Sequence, residues 1–241
     1  MTPSSPTPAT ASRAGITDAR IAAAETLADL RAGTLLDAAF ERRASALDAR
    51  DRRWTQELVY GALRHRAWLD AVIGERVRGG LVRLDPDLID LLRLGAQQLF
   101  YMGSVPAYAA IGQTVELAKQ RHGIGASKLA NAVLRRIDRE RDDLKVEKPA
   151  DPIAALALTY SHPRWLVARW VARWGADATS ALLEANNHQA PLVIRPFGVV
   201  REQLEAMLEA SGVDVGDAPL VHDSLLIGGG VGLRELGAFQ Q

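Results

Sequence analysis

Between Thr17 and Arg141 the apolar residues recur at spacings of three and four, and no stretch alternates apolar with polar. Such a pattern gives every segment one buried stripe and leaves no room for a sheet, so this region is expected to be all-α. The punctuation agrees. Thr17 precedes a run in which Ile21, Ala24, Leu27, Ala28 and Leu30 share a face, and Gly33 ends it. Leu35–Arg43 follows as a short helix, and Asp48 is placed to cap another with Trp54, Leu58 and Ala62 along one side. Arg50, Arg52 and Arg53 crowd the first turn of that helix, the end where the macrodipole disfavours cations. A further helix is expected over Ala67–Arg78. Asp85-Pro86, a cap followed by proline in the first turn, opens a strongly apolar helix (Leu88, Ile89, Leu91, Leu92, Leu99) expected at the centre of the domain. Ser104–Pro106 turns into Tyr108–His122, closed by Gly123, and Ser127–Arg141 completes the series with Leu129, Val133, Leu134 and Ile137 inward.

The segment Leu144–Asp151 is polar and contains a proline, which places a domain boundary there. The expected organisation is a disordered tail at 1–12, a helical domain at 13–145, and a helical linker with a small, incomplete α+β domain at 146–241. In that last part Asp151-Pro152 and His162-Pro163 read as helix openings, and 177–187 as a helix. Residues 192–197 (LVIRPF) read as a strand, 202–210 as a helix and 220–227 as a second strand that runs into Gly228-Gly229-Gly230, with little chain left for a third. Trp165, Trp170 and Trp174 fall close together and are expected to pack in a core.

Chemistry is hard to find in this sequence. It contains no cysteine, which excludes disulfides, cysteine-ligated metals and a cysteine nucleophile. Its five histidines lie in five separate segments without the spacing of a helical metal pair, and no Ser/His/Asp motif is present. The GGGVG run at 228–232 lacks the Lys-Ser/Thr of a phosphate cradle. No catalytic, cofactor or metal residue is therefore assigned. No apolar run approaches the ~18 residues of a membrane span, and the N-terminus is not a signal peptide, so a cytoplasmic protein without membrane contact is expected.

Charge carries the better signal. Lys plus Arg equals Asp plus Glu at 29 each, yet residues 1–145 carry a net +4 and residues 146–241 a net −4. The stretch 119–141 holds Lys119, Arg121, Lys128, Arg135, Arg136, Arg139 and Arg141 against only Asp138 and Glu140. On a helix over 127–141, Lys128, Asn131, Arg135 and Arg139 project on adjoining outer faces. Cations flanking an amide suit a phosphate-and-base surface, the cations giving salt-sensitive affinity and the amide a donor and acceptor pair. An ordinary solvated helix face is the alternative reading of the same residues.

A set of ordered blocks narrows this. ARIAAAETL (19–27), ELVYGALR (57–64), LGAQQLFY (94–101), VPAYAAIGQTVELA (105–118), KLANAVLR (128–135), YSHPRWL (160–166) and EANNHQAPLVIR (184–195) resemble, in order, the N-terminal region of the RsmB (Sun/Fmu) family of 16S rRNA cytosine-5 methyltransferases. The resemblance implies a NusB-like RNA-binding helical bundle followed by a helical linker and the start of a small α+β domain. Arg20 corresponds to the arginine that opens the family's first helix, and Lys128, Asn131 and Arg135 to its K-x-x-N-x-V-L-R block. With Arg136 and Arg139 from the basic stretch, these form the expected RNA-binding set. Gly61 is expected to permit a close helix contact. The family's chemistry uses S-adenosylmethionine in a DLCAAPGGKT-type loop and two cysteines, none of which occurs in these 241 residues. The resemblance therefore implies a truncated or fragmentary chain, inactive alone, that recognises 16S rRNA. The alternative is a NusB-like antitermination adaptor that binds RNA together with ribosomal or antitermination proteins.

Overall fold

In the computed structural model, the structure describes residues 15–188, 190–219 and 221–228. The expected tail at 1–12, Leu220 at the start of the second expected strand, and the glycine run after Gly228 lie outside them. The protein is mainly α, with a helical bundle followed by a small α+β region.

The bundle is built from α1 (Asp18–Arg31), α2 (Leu36–Ala44), α3 (Ala49–Arg64), α4 (Arg66–Gly74), α5 (Pro86–Tyr101) and α6 (Ala107–Glu140). Two of the expected caps work as capping chemistry requires: the Asp48 carboxylate accepts from the Asp51 amide at 2.7 Å, and Asp85 from the Asp87 amide at 2.8 Å. Thr17 occupies its expected position, but its hydroxyl accepts from Arg20 instead of an amide of the first turn. α4 stops at Gly74, short of the expected Arg78, and the chain turns through Gly79 and Gly80, with φ of +85° and +76°, into a short 3₁₀ turn at Leu81–Arg83. α6 is interrupted at Gly123, where φ is +81°, as the sequence leads one to expect.

α5 is the centre. Leu88, Leu91, Leu92, Leu94 and Leu99 are buried among Leu27, Leu58, Val59, Leu117, Val133, Leu134 and Ile137 of the surrounding helices. Two glycines let the helices approach. A Cβ on Gly95 would lie 2.8 Å from Leu134 Cδ1 and 3.1 Å from Thr114 Oγ1, and one on Gly61 would collide with the Gln97 side chain. The expectation that Gly61 serves close packing holds.

α7 (Pro152–Thr159) is capped by Asp151, whose carboxylate accepts from the amides of Ile153 and Ala154, and it packs against α4. Ser161, with φ +54°, follows it and accepts a hydrogen bond from the Trp68 amide at 2.9 Å, fastening this turn to the bundle. α8 (Arg164–Asn187) breaks at Gly175 (φ +80°). Val167 and Leu183 join Ala157 in a small apolar cluster. By packing, one compact unit runs to Leu183 and a second begins at Glu184.

The tryptophans depart from expectation. Trp170 packs on the small cluster, but Trp165 is 66% and Trp174 49% exposed. Nine residues at about 100° each put these two on opposite sides of the helix, so they cannot share one buried face.

The second unit holds β1 (Leu192–Ile194), α9 (Arg201–Ala210), β2 (Asp214–Asp217) and β3 (Leu225–Gly228). The sheet is antiparallel in the order β1-β3-β2, with Ile194 opposite Leu225 and Val215 opposite Ile227. α9 covers it with Leu204 and Leu208 against Ile194, Leu225 and Ile227. β2 was not expected: its sequence, Asp-Val-Gly-Asp, has low strand propensity, and it is a strand because β3 offers it an edge.

Candidate nucleic-acid interface

The second half of α6 turns Ser127, Ala130, Val133, Leu134 and Ile137 into the core. At about 100° per residue, Lys128, Asn131, Arg135 and Arg139 then fall within about 80° of one another on the opposite side. Lys128, Arg135 and Arg139 are exposed, and Asn131 is half-buried. Arg135 Nε donates to Asn131 Oδ1 at 2.9 Å, so the amide oxygen orients the guanidinium while the amide NH₂ group keeps its two donors. Among the described residues, Lys128 and Arg139 have no ion-pair partner and Arg135 has only the neutral Asn131. The three charges are therefore uncompensated.

The other cations of the basic stretch are engaged. Arg136 Nε donates to Glu140 Oε1 at 2.7 Å, and Arg76 donates to the other oxygen of the same carboxylate at 2.6 and 3.0 Å. Hydrogen bonds from Arg136 and then Arg76 hold the Glu140 carboxyl below its usual range. Arg121 and His122 both reach Asp87, at 3.1 and 2.9 Å, beside Arg31 at 2.7 Å. Arg141 lies near Asp138 at 3.7 Å and Asp142 at 3.8 Å, and Lys119 lies 3.8 Å from Glu116.

Arg20 is elsewhere and is not at the surface. Only 8% exposed, it donates to Gln98 Oε1 at 2.8 Å, Thr17 Oγ1 at 3.1 Å and Gln113 Oε1 at 3.2 Å, and it lies 4.6 Å above the Trp54 ring. Burial lowers its pKa to about 10, against the opposing pull of Asp51, and the group stays charged at neutral pH. Four of the six expected residues thus converge, Arg136 stands at the margin, and Arg20 joins α1 to α5 and α6. Arg76, which the sequence reading did not single out, helps hold Glu140 away from the stripe. Its partner is 64 residues distant, so no local pattern could have revealed it.

A cleft of about 220 Å³ opens between Leu27, Leu30, Leu63, Ile89, Asp90 and Arg93, with Arg31 and Arg66 on its wall. Arg31 and Arg93 both pair with Asp90, and Arg93 also holds Asp70 bidentately at 2.6 and 2.7 Å. Its guanidiniums suit neither a sulfonium nor any other cation. The cleft therefore does not fit the sulfonium of S-adenosylmethionine. Among the described residues no cluster of three or more His, Asp or Glu could hold a metal, and no helix is long and apolar enough to cross a membrane.

The profile of the NusB family matches residues 17–139, and that of the RsmF/B-like methyltransferase ferredoxin-like domain matches residues 162–234. The ribosomal RNA small subunit methyltransferase B of Pseudomonas putida is 32% identical over 225 residues, covering 92% of this chain and 50% of that protein. The probable ribosomal RNA small subunit methyltransferase B of Bacillus subtilis is 31% identical over 187 residues, covering 76% of this chain and 41% of its own length. The chain thus spans about half the length, or less, of these curated relatives. The crystal structure of PH0851 superposes with a TM-score of 0.62 at 21% identity, over 92% of this chain and 50% of that one, a likeness of fold.

Proposed function

Because the chain belongs to the NusB family through residues 17–139, we propose that it is the RNA-recognition portion of an rRNA small subunit methyltransferase of the B type, and that the stripe on α6 is its RNA contact. The observation that carries this is the uncompensated triad of Lys128, Arg135 and Arg139 around Asn131, in a stretch, 119–141, whose other cations are paired with carboxylates. Lys128, Arg135 and Arg139 contact phosphates, and the Asn131 amide is placed to read a base edge or a ribose hydroxyl. Arg136 contributes at the margin through its long-range field, and Arg20 acts by holding the bundle together. Small-subunit (16S) rRNA is the expected ligand. S-adenosylmethionine and methyl transfer belong to parts of such a methyltransferase outside the described residues, and the domain division at 145/146 is the functional one. The ferredoxin-like match at 162–234 favours this reading over an antitermination adaptor.

Filter binding with small-subunit rRNA fragments across a salt series tests it. Counterion release at three phosphates gives a slope of log affinity against log salt of about −2.7 on duplex RNA if the B-DNA coefficient applies. Each alanine at Lys128, Arg135 or Arg139 should reduce that slope by about 0.9. Arg136→Ala should change it far less, since Arg136 is already paired. No binding at low salt, or affinity indifferent to salt, would overturn the proposal.

A further inference from the structure

Within the acidic half of the chain lies a stretch without any acid. From Pro152 to Ala176 there is no Asp or Glu, while Arg164, Arg169, Arg173, His162, Tyr160 and three tryptophans all fall there. Arg164 is held by Asp151 at 2.9 and 3.0 Å. Arg169 and Arg173 are exposed and have no carboxylate partner among the described residues.

The first part of α8 arranges these groups as a ribbon. Trp165, 66% exposed, is followed one turn on by Arg169 and another turn on by Arg173, each four residues apart and therefore adjacent on the surface. The Arg173 guanidinium lies 5.6 Å from the centre of the Trp174 ring, which is itself 49% exposed. Trp170, behind it, buttresses Trp174 at 6.2 Å between ring centres and leans on His162 at the same distance. Along the axis the order is indole, guanidinium, guanidinium, indole, and at about 100° per residue it winds half-way round the helix, from Trp165 through Arg169 and Arg173 to Trp174 on the opposite side. Its ends are about 13 Å apart along the axis. Ser161 anchors the turn before it to the Trp68 amide, so the ribbon stands on a fixed base.

Two exposed indoles cost solvation unless something apolar and flat covers them, and two free guanidiniums ask for anions. Unstacked bases joined by phosphates supply both, whereas a duplex hides its base faces. We infer that residues 165–174 form a second nucleic-acid contact, specific for single-stranded RNA, in which Trp165 and Trp174 stack on bases and Arg169 and Arg173 bind the intervening phosphates. This rests on the reading of the chain as an RNA binder but uses none of the α6 residues.

The test is fluorescence anisotropy of the full 241-residue chain with a labelled, unstructured twelve-nucleotide RNA and, separately, a labelled RNA hairpin closed by a compact tetraloop whose bases stack on one another. Trp165→Ala and Trp174→Ala should each weaken binding of the single strand by about fivefold or more while leaving the hairpin unchanged. Arg169→Glu with Arg173→Glu should do the same. Lys128→Glu with Arg135→Glu should weaken the hairpin more than the single strand. Circular dichroism of each variant establishes that the exposed substitutions leave the helices intact. If the tryptophan variants bind the single strand as the parent does, the ribbon is not an RNA contact, and its aromatic face belongs to a protein surface instead. If only the ribbon variants fail to respond, the α6 reading stands alone. If the parent chain binds neither RNA at low salt, both readings fall.

Discussion

Replacing Arg20 by alanine should destabilise the protein without weakening its intrinsic affinity for RNA. The charged hydrogen bonds to Gln98 and Gln113 are each worth about 1.5–3 kcal/mol. The contact with the Trp54 face adds about 1 kcal/mol. Against this stands relief from burying a cation. The fall in pKa from 12.5 to about 10 is the net of that burial and the opposing pull of Asp51, about 3 kcal/mol no longer imposed. The difference leaves a net loss of about 3 kcal/mol, and at a urea dependence of about 2 kcal/mol per molar the midpoint should drop by about 1.5 M. Arg20→Met, which keeps the stem against Trp54, should lose less. Urea unfolding followed by far-ultraviolet circular dichroism reads the stability, and filter binding in the absence of urea reads the affinity. A variant with an unchanged midpoint and tenfold weaker RNA binding would show that the guanidinium meets RNA directly, and the structural role assigned here would be wrong.

Gly95→Ala should cost about 1–3 kcal/mol, less the helix propensity that alanine restores, because its Cβ must displace Leu134 and Thr114 at the α5–α6 contact. A denaturant midpoint equal to that of the parent would contradict the close approach. Acid should lower the melting temperature progressively below about pH 4. Asp29 is held down by hydrogen bonds from Arg43 and Arg42, and Asp87 by His122, Arg31 and the charge of Arg121, which overcome the upward push of its burial. Carboxyls with pKa values lowered by folding contribute stability that is present above their unfolded pKa and vanishes as pH falls through the folded one. A melting temperature that is flat between pH 5 and 2 would contradict these pairings.

Local rules made much of the bundle readable. Asp48, Asp85-Pro86, Asp151-Pro152 and Gly123 act within a few residues of themselves, and each does in space what its chemistry announces in the chain. β2 could not be read because its strand character is lent by β3. The tryptophans of α8 misled for a different reason: proximity in sequence suggests a shared face, while a nine-residue separation forbids it. The basic stretch was visible as charge, but which cations remain available depends on distant partners. Arg121 is cancelled by Asp87, and Glu140 is shared by Arg136 and Arg76. Counting charges located the helix, and only the fold separates Lys128, Arg135 and Arg139 from their neighbours.

The break at Gly123 has a consequence for the sign of the surface. Before it, the buried positions are Ala110, Ile111, Thr114, Leu117 and Ala118; after it, they are Ser127, Ala130, Val133, Leu134 and Ile137. Wound as one uninterrupted helix at about 100° per residue, those two sets would point about 160° apart. Burying the first would carry Lys128, Arg135 and Arg139 round to the core side and leave Leu134 and Ile137 in water. One residue with φ of +81° resets the phase, so that both apolar faces meet the same core. The outward basic stripe is the complement of that correction, and its orientation is set five residues before its first lysine.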